Sequence, residues 1–227
     1  MKSSDKVEKN YIGSKGEKYH HIKHDASPLV LKLIARSRGK KFQIYVSEDN
    51  RVLEFGVGSG WNLSELKAIE KVGYDIYRSK FLPKNKSIIF QNDLRKIKNN
   101  YFDVVICYHV LEHVPNPTLS LDQIKSKLNK NGRIILVLPF EKERRYQKYN
   151  PRDINNHIFS WNMQTISNLL KFSGYRIEIA RILTYGYDRR AGKIAERLHL
   201  GEFGYLLIRK FLQIIKPAKE LFIIAKK

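Results

Sequence analysis

The chain has 227 residues, 42% of them hydrophobic, with 43 Lys and Arg against 22 Asp and Glu, for a formal net charge of +21. This length suits one domain, or one domain with a small extension, and the apolar fraction suffices for a sizeable core. The single cysteine, Cys107, excludes an internal disulfide framework, and no run approaches the roughly 18 apolar residues of a membrane helix.

The N-terminal stretch "MKSSDKVEKNYIGSKGEKYHHIKH" is polar and lacks the apolar centre of a signal peptide. A cytoplasmic protein without a transmembrane segment is expected. The basic excess favours acidic partners such as nucleic acid, anionic lipid or phosphorylated substrates. It is spread along the chain: +5 in residues 1–50 (11 basic, 6 acidic), +6 in 51–140 (14 and 8) and +10 in 141–227 (18 and 8). A solvated basic surface explains the same balance equally well.

Residues 1–26 read as a basic N-terminal arm, with His20, His21 and His24 suggesting metal binding or a lid over the site, and a solvated arm as the equal alternative. In "SPLVLKLIARSR" (27–38), Ser27 suits an N-cap and Pro28 the first helical position. "RVLEFGV" (51–57) is a strand ending in a glycine turn, and "NLSELKAIEK" (62–71) has helical composition. "VGYDIY" (72–77), "KSIIFQND" (86–93) and "YFDVVICYH" (101–109) read as strands. "TLSLDQIKSKLNKNG" (118–132) is an amphipathic helix with Asn131-Gly132 as its stop, followed by a strand over 133–140. A helix over 162–175 and strands over 176–183 and 220–227 complete the alternation. Strands apolar on both faces and alternating with helices predict a parallel sheet covered on both sides. Such sheets bind ligands beyond the carboxyl ends of their strands, where the strand order reverses.

The residues after the strands carry the chemistry. Gly56, Gly58 and Gly60 follow the first strand directly, where missing side chains allow a tight turn and close approach to a ligand. Asp75 stands 17 residues after Gly58, after the second strand, where a carboxylate can accept both hydroxyls of a ribose. Asp93 follows the third strand, within reach of an adenine amino group. Together these form a nucleotide-site pattern.

With these motifs the chain resembles the class I S-adenosylmethionine-dependent methyltransferases, most closely the small-molecule and quinone O-methyltransferase branch. The resemblance rests on "VLEFGVGSG", "GYDIY", "QNDL", "FDVVICYHVLEHVPNP" and "GRIILVLPF", and covers roughly residues 50–183 plus "ELFIIAKK". It implies a Rossmann-like α/β fold: a mostly parallel seven-stranded sheet with an antiparallel last strand and helices on both faces. It also implies S-adenosyl-L-methionine as cofactor and S-adenosyl-L-homocysteine as product. By the same resemblance, Glu54, Gly56, Gly58 and Gly60 flank the methionine portion, Asp75 holds the ribose, Asp93 and Leu94 border the adenine, and Tyr108 and His109 line the cofactor. Residues 27–227 would form the methyltransferase domain, with acceptor-side insertions near 141–161 and 184–219.

"CYHVLEHVP" (107–115) also contains His109-x-x-Glu112-His113, the H-x-x-E-H letters of the inverted zinc peptidases. Those enzymes need the motif inside a long helix. Here a strand precedes it, and Pro115 and Pro117 follow. In some relatives an E-x-x-E-H at this place holds a divalent ion, but His109 replaces the first Glu, and magnesium prefers oxygen ligands. No metal site is therefore expected, and His113 is read as ordering the turn.

Methyl transfer needs alignment and water exclusion more than a catalytic group. His113 and His157 are the weak candidates for a general base. Arg144, Arg145, Tyr146, His157 and Trp161 could grip an anionic or aromatic acceptor. "FGYLLIRKFLQIIKP" (203–217) suits a core or dimer helix, and is basic enough to touch a membrane surface. The expected function is methyl transfer to an O or N of a small, anionic or lipid- or sugar-linked acceptor. An RNA methyltransferase and a non-catalytic methyltransferase-like binding domain are the alternatives.

Overall fold

Strands whose side chains are apolar on both faces need cover on both faces. A computed structural model describes residues 25–83, 87–140, 149–150 and 155–227. Its strands are β1 (Arg51–Phe55), β2 (Glu70–Tyr74), β3 (Ile89–Gln91), β4 (Phe102–Tyr108), β5 (Leu128–Phe140), β6 (Arg176–Tyr185) and β7 (Ala218–Lys226). The helices are α1 (Pro28–Gln43), α2 (Pro117–Lys127), α3 (Met163–Phe172), α4 (Asp188–Arg197) and α5 (Gly201–Ile215), with a 3₁₀ turn at Leu94–Lys96. The strands form one seven-stranded sheet in the order β3-β2-β1-β4-β5-β7-β6. All neighbours are parallel except β7, which runs antiparallel to both β5 and β6. The expected sheet is the observed one.

The two-residue period of β5 shows how the sheet buries both faces. Ile134, Leu136 and Leu138 join a cluster with Leu121 and Ile124 of α2 and Ile166 and Leu170 of α3. Ile135 and Val137 point the other way, into a cluster with Phe42 of α1, Leu63 and Phe222. α1 begins as its sequence predicts: Ser27 Oγ accepts the Val30 N–H at 3.2 Å, and Pro28 occupies the first turn. The start of α3 is closed by a reciprocal box between Asn162 and Thr165.

Three expectations are corrected. Residues 61–65 form turns, not the helix expected over 62–71. Glu70 and Lys71 are drawn into β2 opposite Arg51 and Val52, and the Lys71 ammonium satisfies the carbonyls of Leu63 and Leu66, each at 3.0 Å. β2 accordingly spans Glu70–Tyr74 instead of 72–77, leaving Asp75 just past its end. The helix expected over 118–132 stops at Lys127, and β5 starts at Leu128, which pairs with Phe102 and is fully buried. Gly132 is therefore no helix stop. A Cβ there would stand 2.9 Å from the Phe102 carbonyl oxygen, so it permits strand contact. Residues 1–24, with the three arm histidines, and Arg144, Arg145 and Tyr146 lie outside the described residues.

Leu136 is fully buried between sheet and helices. Leu136→Ala is expected to cost about 3 kcal/mol of unfolding free energy, read as a lower urea midpoint with an unchanged slope.

Candidate active site

β1 and β4 are neighbours, with Phe55 opposite Cys107, so their carboxyl ends emerge side by side where the strand order reverses. The chain leaves β1 through Gly56 at φ +84°. A Cβ on Gly56 would stand 2.2 Å from Val110 Cγ2, just past β4. Left-handed backbone and that contact together require glycine. Gly58, at φ +49°, has no described atom within 4 Å of a Cβ position. The turn thus opens onto space at its middle glycine.

Asp75 secures this turn from the neighbouring strand. Its Oδ2 accepts the Gly58 N–H at 2.8 Å. Burial raises the Asp75 pKa, against the lowering effect of the N–H groups of Gly58, Tyr77 and Ile76. Asp93 lies past β3, where it caps the 3₁₀ turn that begins at Leu94. Its carboxylate is committed to Arg95, with Nη2 to Oδ2 at 2.9 Å, and that pairing holds its pKa down to about 2.

Beneath the glycine turn, Glu54 points from β1 and is 1% exposed. The Asn62 side-chain amide donates to its Oε1, whereas Oε2 has no partner among the described residues. Burial dominates and pushes the Glu54 pKa up to about 8, despite Asn62 and the Arg38 charge. Arg38, on α1, lies over the Trp61 and Tyr108 rings at 5.0 Å from each centroid. Its buried Nε also lacks a hydrogen-bond partner among the described residues. Burial opposes the Arg38 charge, but Tyr108, Asp188, Glu220 and Glu54 more than offset this. A buried carboxyl oxygen and a buried guanidinium nitrogen therefore lack a hydrogen-bond partner among the described residues. Arg38 was missed by the sequence reading, since it sits in a helix with no motif around it.

The other side of β4 carries a second polar group. Tyr108 and His109 stack at 4.3 Å between ring centroids, and the Tyr185 ring meets His109 edge-on at 5.3 Å. His109 has φ +53°, a conformation most residues avoid outside turns and functional sites. Glu220 of β7 lies below, 1% exposed, with Oε2 at 3.6 Å from His109 Nε2 and Oε1 paired with the Lys41 ammonium of α1. Burial raises the Glu220 pKa, but His109 and Lys41 outweigh it and hold the carboxyl below its ordinary value. Lys41 and Glu220 were also missed, because they are 179 positions apart.

The motif that raised the zinc question folds as a turn, with the His113 N–H donating to the Val110 carbonyl at 2.9 Å. No long helix carries it, as expected. The structure brings Glu112, His113 and His157 together, with one ligand-type atom from each all within 4.8 Å of one another. The His113 and His157 rings meet edge-on at 4.8 Å, and the Glu112 carbonyl accepts the Ile158 N–H at 2.8 Å. Cys107 is fully buried, and burial raises its thiol pKa well above the ordinary value, as suits a structural residue.

Comparison with known proteins bears on the family and the fold. A family model described as "Methyltransferase domain" matches residues 19–179. No curated protein matches by sequence. Among solved structures, the fold is similar to the 1,6-didemethyltoxoflavin-N1-methyltransferase of Burkholderia thailandensis with bound S-adenosylhomocysteine (TM-score 0.66, 12% identity, 100% of this chain and 91% of that one). It is also similar to an S-adenosylmethionine-dependent methyltransferase of Archaeoglobus fulgidus (TM-score 0.57, 21% identity, 93% and 99%). Phosphoethanolamine N-methyltransferase 2 of Haemonchus contortus, in complex with S-adenosyl-L-methionine, matches at TM-score 0.60 and 15% identity, over 100% of this chain and 60% of that one. At such identities these likenesses concern the fold.

Gly56→Ala combines a left-handed residue with a collision against Val110. It is expected to destabilise the protein by more than about 2 kcal/mol, read by urea unfolding. A loss below that would mean Val110 moves aside freely.

Proposed function

The chain belongs to the methyltransferase-domain family and is an S-adenosylmethionine-dependent methyltransferase, and from that premise we propose that it methylates an oxygen or nitrogen of a small acceptor carrying an anionic or lipid- or sugar-linked part. The names of the similar structures include enzymes for a toxoflavin precursor and for phosphoethanolamine, both small molecules. The net charge of +21 supports an anionic group on the acceptor.

The observation that carries the cofactor site is a pair of buried polar atoms beside the glycine turn, Glu54 Oε2 and Arg38 Nε, that have no hydrogen-bond partner among the described residues. The cofactor supplies a methyl group on a sulfonium and, at its amino-acid end, an ammonium and a carboxylate. In this reading Glu54 takes the ammonium and Arg38 the carboxylate, and their buried atoms become accessible as the cofactor enters. Gly58 leaves room for the methionine backbone, and Asp75, anchored on the Gly58 N–H, is positioned for the ribose. Leu94 would border the adenine. The Asp93 carboxylate reaches it only if Arg95 turns away.

On the β4–β7 side, Tyr108 and His109, expected to line the cofactor, join Tyr185 in an aromatic wall that in this reading borders the cofactor and also aligns a flat or apolar acceptor and excludes water. Glu112, His113 and His157 order the turn after β4 in this reading. The methyltransferase domain spans residues 27–227, with acceptor-side segments at 141–161 and 184–219.

Two outcomes test this reading. The Glu54 pKa of about 8 lies above its ordinary 4.5, so at pH 7 the free protein holds a proton there. The sign of the linkage is that Glu54 contributes stability below pH 4.5 and loses it as pH rises through about 8. An ammonium beside it favours the carboxylate. Binding of S-adenosylhomocysteine at pH 7 should therefore release close to one proton, read as a calorimetric heat that changes with the ionisation enthalpy of the buffer. Glu54→Gln should remove that dependence, and Asp75→Ala should weaken binding by tenfold or more, about 1.4 kcal/mol. Absence of binding by the unaltered protein would remove the assignment. Dialysis against a chelator should leave this affinity unchanged; a loss restored by zinc would make Glu112, His113 and His157 a metal centre instead.

A further inference from the structure

Helix α5 is apolar on nearly every side. Its inner face is fully used. Tyr205 is fully buried among Leu33, Ala191 and Ala195, with Ile208 and Leu212 packed against the same cluster. Charged contacts then fix the helix in place. Arg209 pairs with Asp188 of α4 at 2.7 Å, and Lys40 of α1 pairs with Glu202 at 2.6 Å. The expectation that core packing explains 203–217 holds for this face only.

The outer face remains in solvent. Phe203 is 75% exposed, Leu207 53%, Phe211 61%, Ile214 71% and Ile215 65%. The spacing 203, 207, 211, 214 puts these side chains along one stripe of the helix. Isolated exposed apolar residues need no explanation, but a continuous row of this kind marks a contact surface. Lys210 lies on the same stripe, seven residues after Phe203, and is exposed. Its aliphatic stem can lie along apolar matter while the ammonium reaches polar groups.

The surroundings are basic. Residues 188–219 hold eight Lys and Arg against three Asp and Glu, a balance of +5. Arg190 and Arg197 of α4 and Lys216 at the end of α5 are exposed. A second copy docking through this face would bring two chains of net charge +21 together, with Lys210 in the contact. An anionic bilayer surface offers the opposite charge and an apolar layer beneath it. At 15 residues α5 is about 22 Å long, too short to span the roughly 30 Å of hydrocarbon. No described helix is long and apolar enough to cross a membrane. The helix is suited to lie in the plane of the interface.

We propose that α5, backed by α4, docks this protein on an anionic lipid bilayer, with Phe203, Leu207, Phe211 and Ile214 entering the interface. α5 rests on α1 through Arg209, whose Nη1 lies 3.2 Å from Ser37 Oγ, next to Arg38 of the candidate active site. Docking therefore seats α1, which carries Arg38, on a helix held at the membrane surface. Delivery of a lipid-linked acceptor along this route rests on the function proposed above, whereas the docking itself does not.

The test is co-sedimentation of the full chain with phosphatidylcholine vesicles, with and without phosphatidylglycerol, in the absence of cofactor. Binding is expected only to the anionic vesicles and should weaken as salt rises. The triple variant Phe203→Ser/Leu207→Ser/Phe211→Ser should lower the partition coefficient by about tenfold or more, with S-adenosylhomocysteine affinity retained as the check of folding. Leu207→Glu gives a second reading should the triple variant misfold. Wild-type-like binding by either folded variant would overturn the proposal, because charge adsorption elsewhere would then explain it. Absence of binding to anionic vesicles would overturn it too, as would a dimer in ultracentrifugation that Leu207→Glu dissolves. Failure of cofactor binding alone would strike the proposed function and leave the docking result standing.

Discussion

The parallel pairing of β1 with β4 is the constraint on which the site depends. It sets Phe55 against Cys107 and brings the turn after β1 against the turn after β4. The contact is close enough that a methyl group on Gly56 would collide with Val110. Two segments far apart in sequence thus meet with the Val110 side chain directly against the Gly56 backbone. Everything placed at the carboxyl edge inherits its position from that contact. Asp75 braces the turn from the β2 side, and Tyr108 and His109 frame it from the β4 side.

Around this frame the protein tolerates buried charge in two places. Glu54 and Arg38 share one, each with an oxygen or nitrogen that finds no partner among the described residues. Glu220, Lys41 and His109 share the other, where a carboxylate with 1% exposure stays ionised because two bases surround it. Burying a charge without full compensation is costly. Such groups persist where a ligand or a reaction needs them. The first group keeps one carboxyl oxygen and one guanidinium nitrogen without a hydrogen-bond partner among the described residues, the feature on which the proposed cofactor site rests. The second is internally neutralised, which suits a wall that holds its shape while an acceptor comes and goes.

Much of this was legible from local pattern. Ser27-Pro28 marks a helix start by itself, and the period of two in β5 marks a strand buried on both faces. The turn at Gly56 and Gly58 was legible because left-handed backbone after a strand leaves a short-range trace in glycine. Where the reading went astray, long-range pairing overrode local preference. Leu128 left the expected end of α2 to pair with Phe102, and Glu70 left an expected helix to pair with Arg51. The outer face of α5 stayed open between core, dimer and membrane for a related reason: a row of apolar residues has the same letters whether its cover is the chain itself or something else.

The sequence by itself determined most of the alternation of elements, the glycine turn, the basic balance and the resemblance to a methyltransferase family, because each depends on residue type and short spacing. Only the tertiary structure decided that Arg38 stands over Trp61 and Tyr108, that Glu220 and Lys41 support His109, and that Glu112 and His113 meet His157. Those groups are joined by strand order and helix packing across many tens of residues. No local spacing encodes contacts that exist only once the sheet has closed.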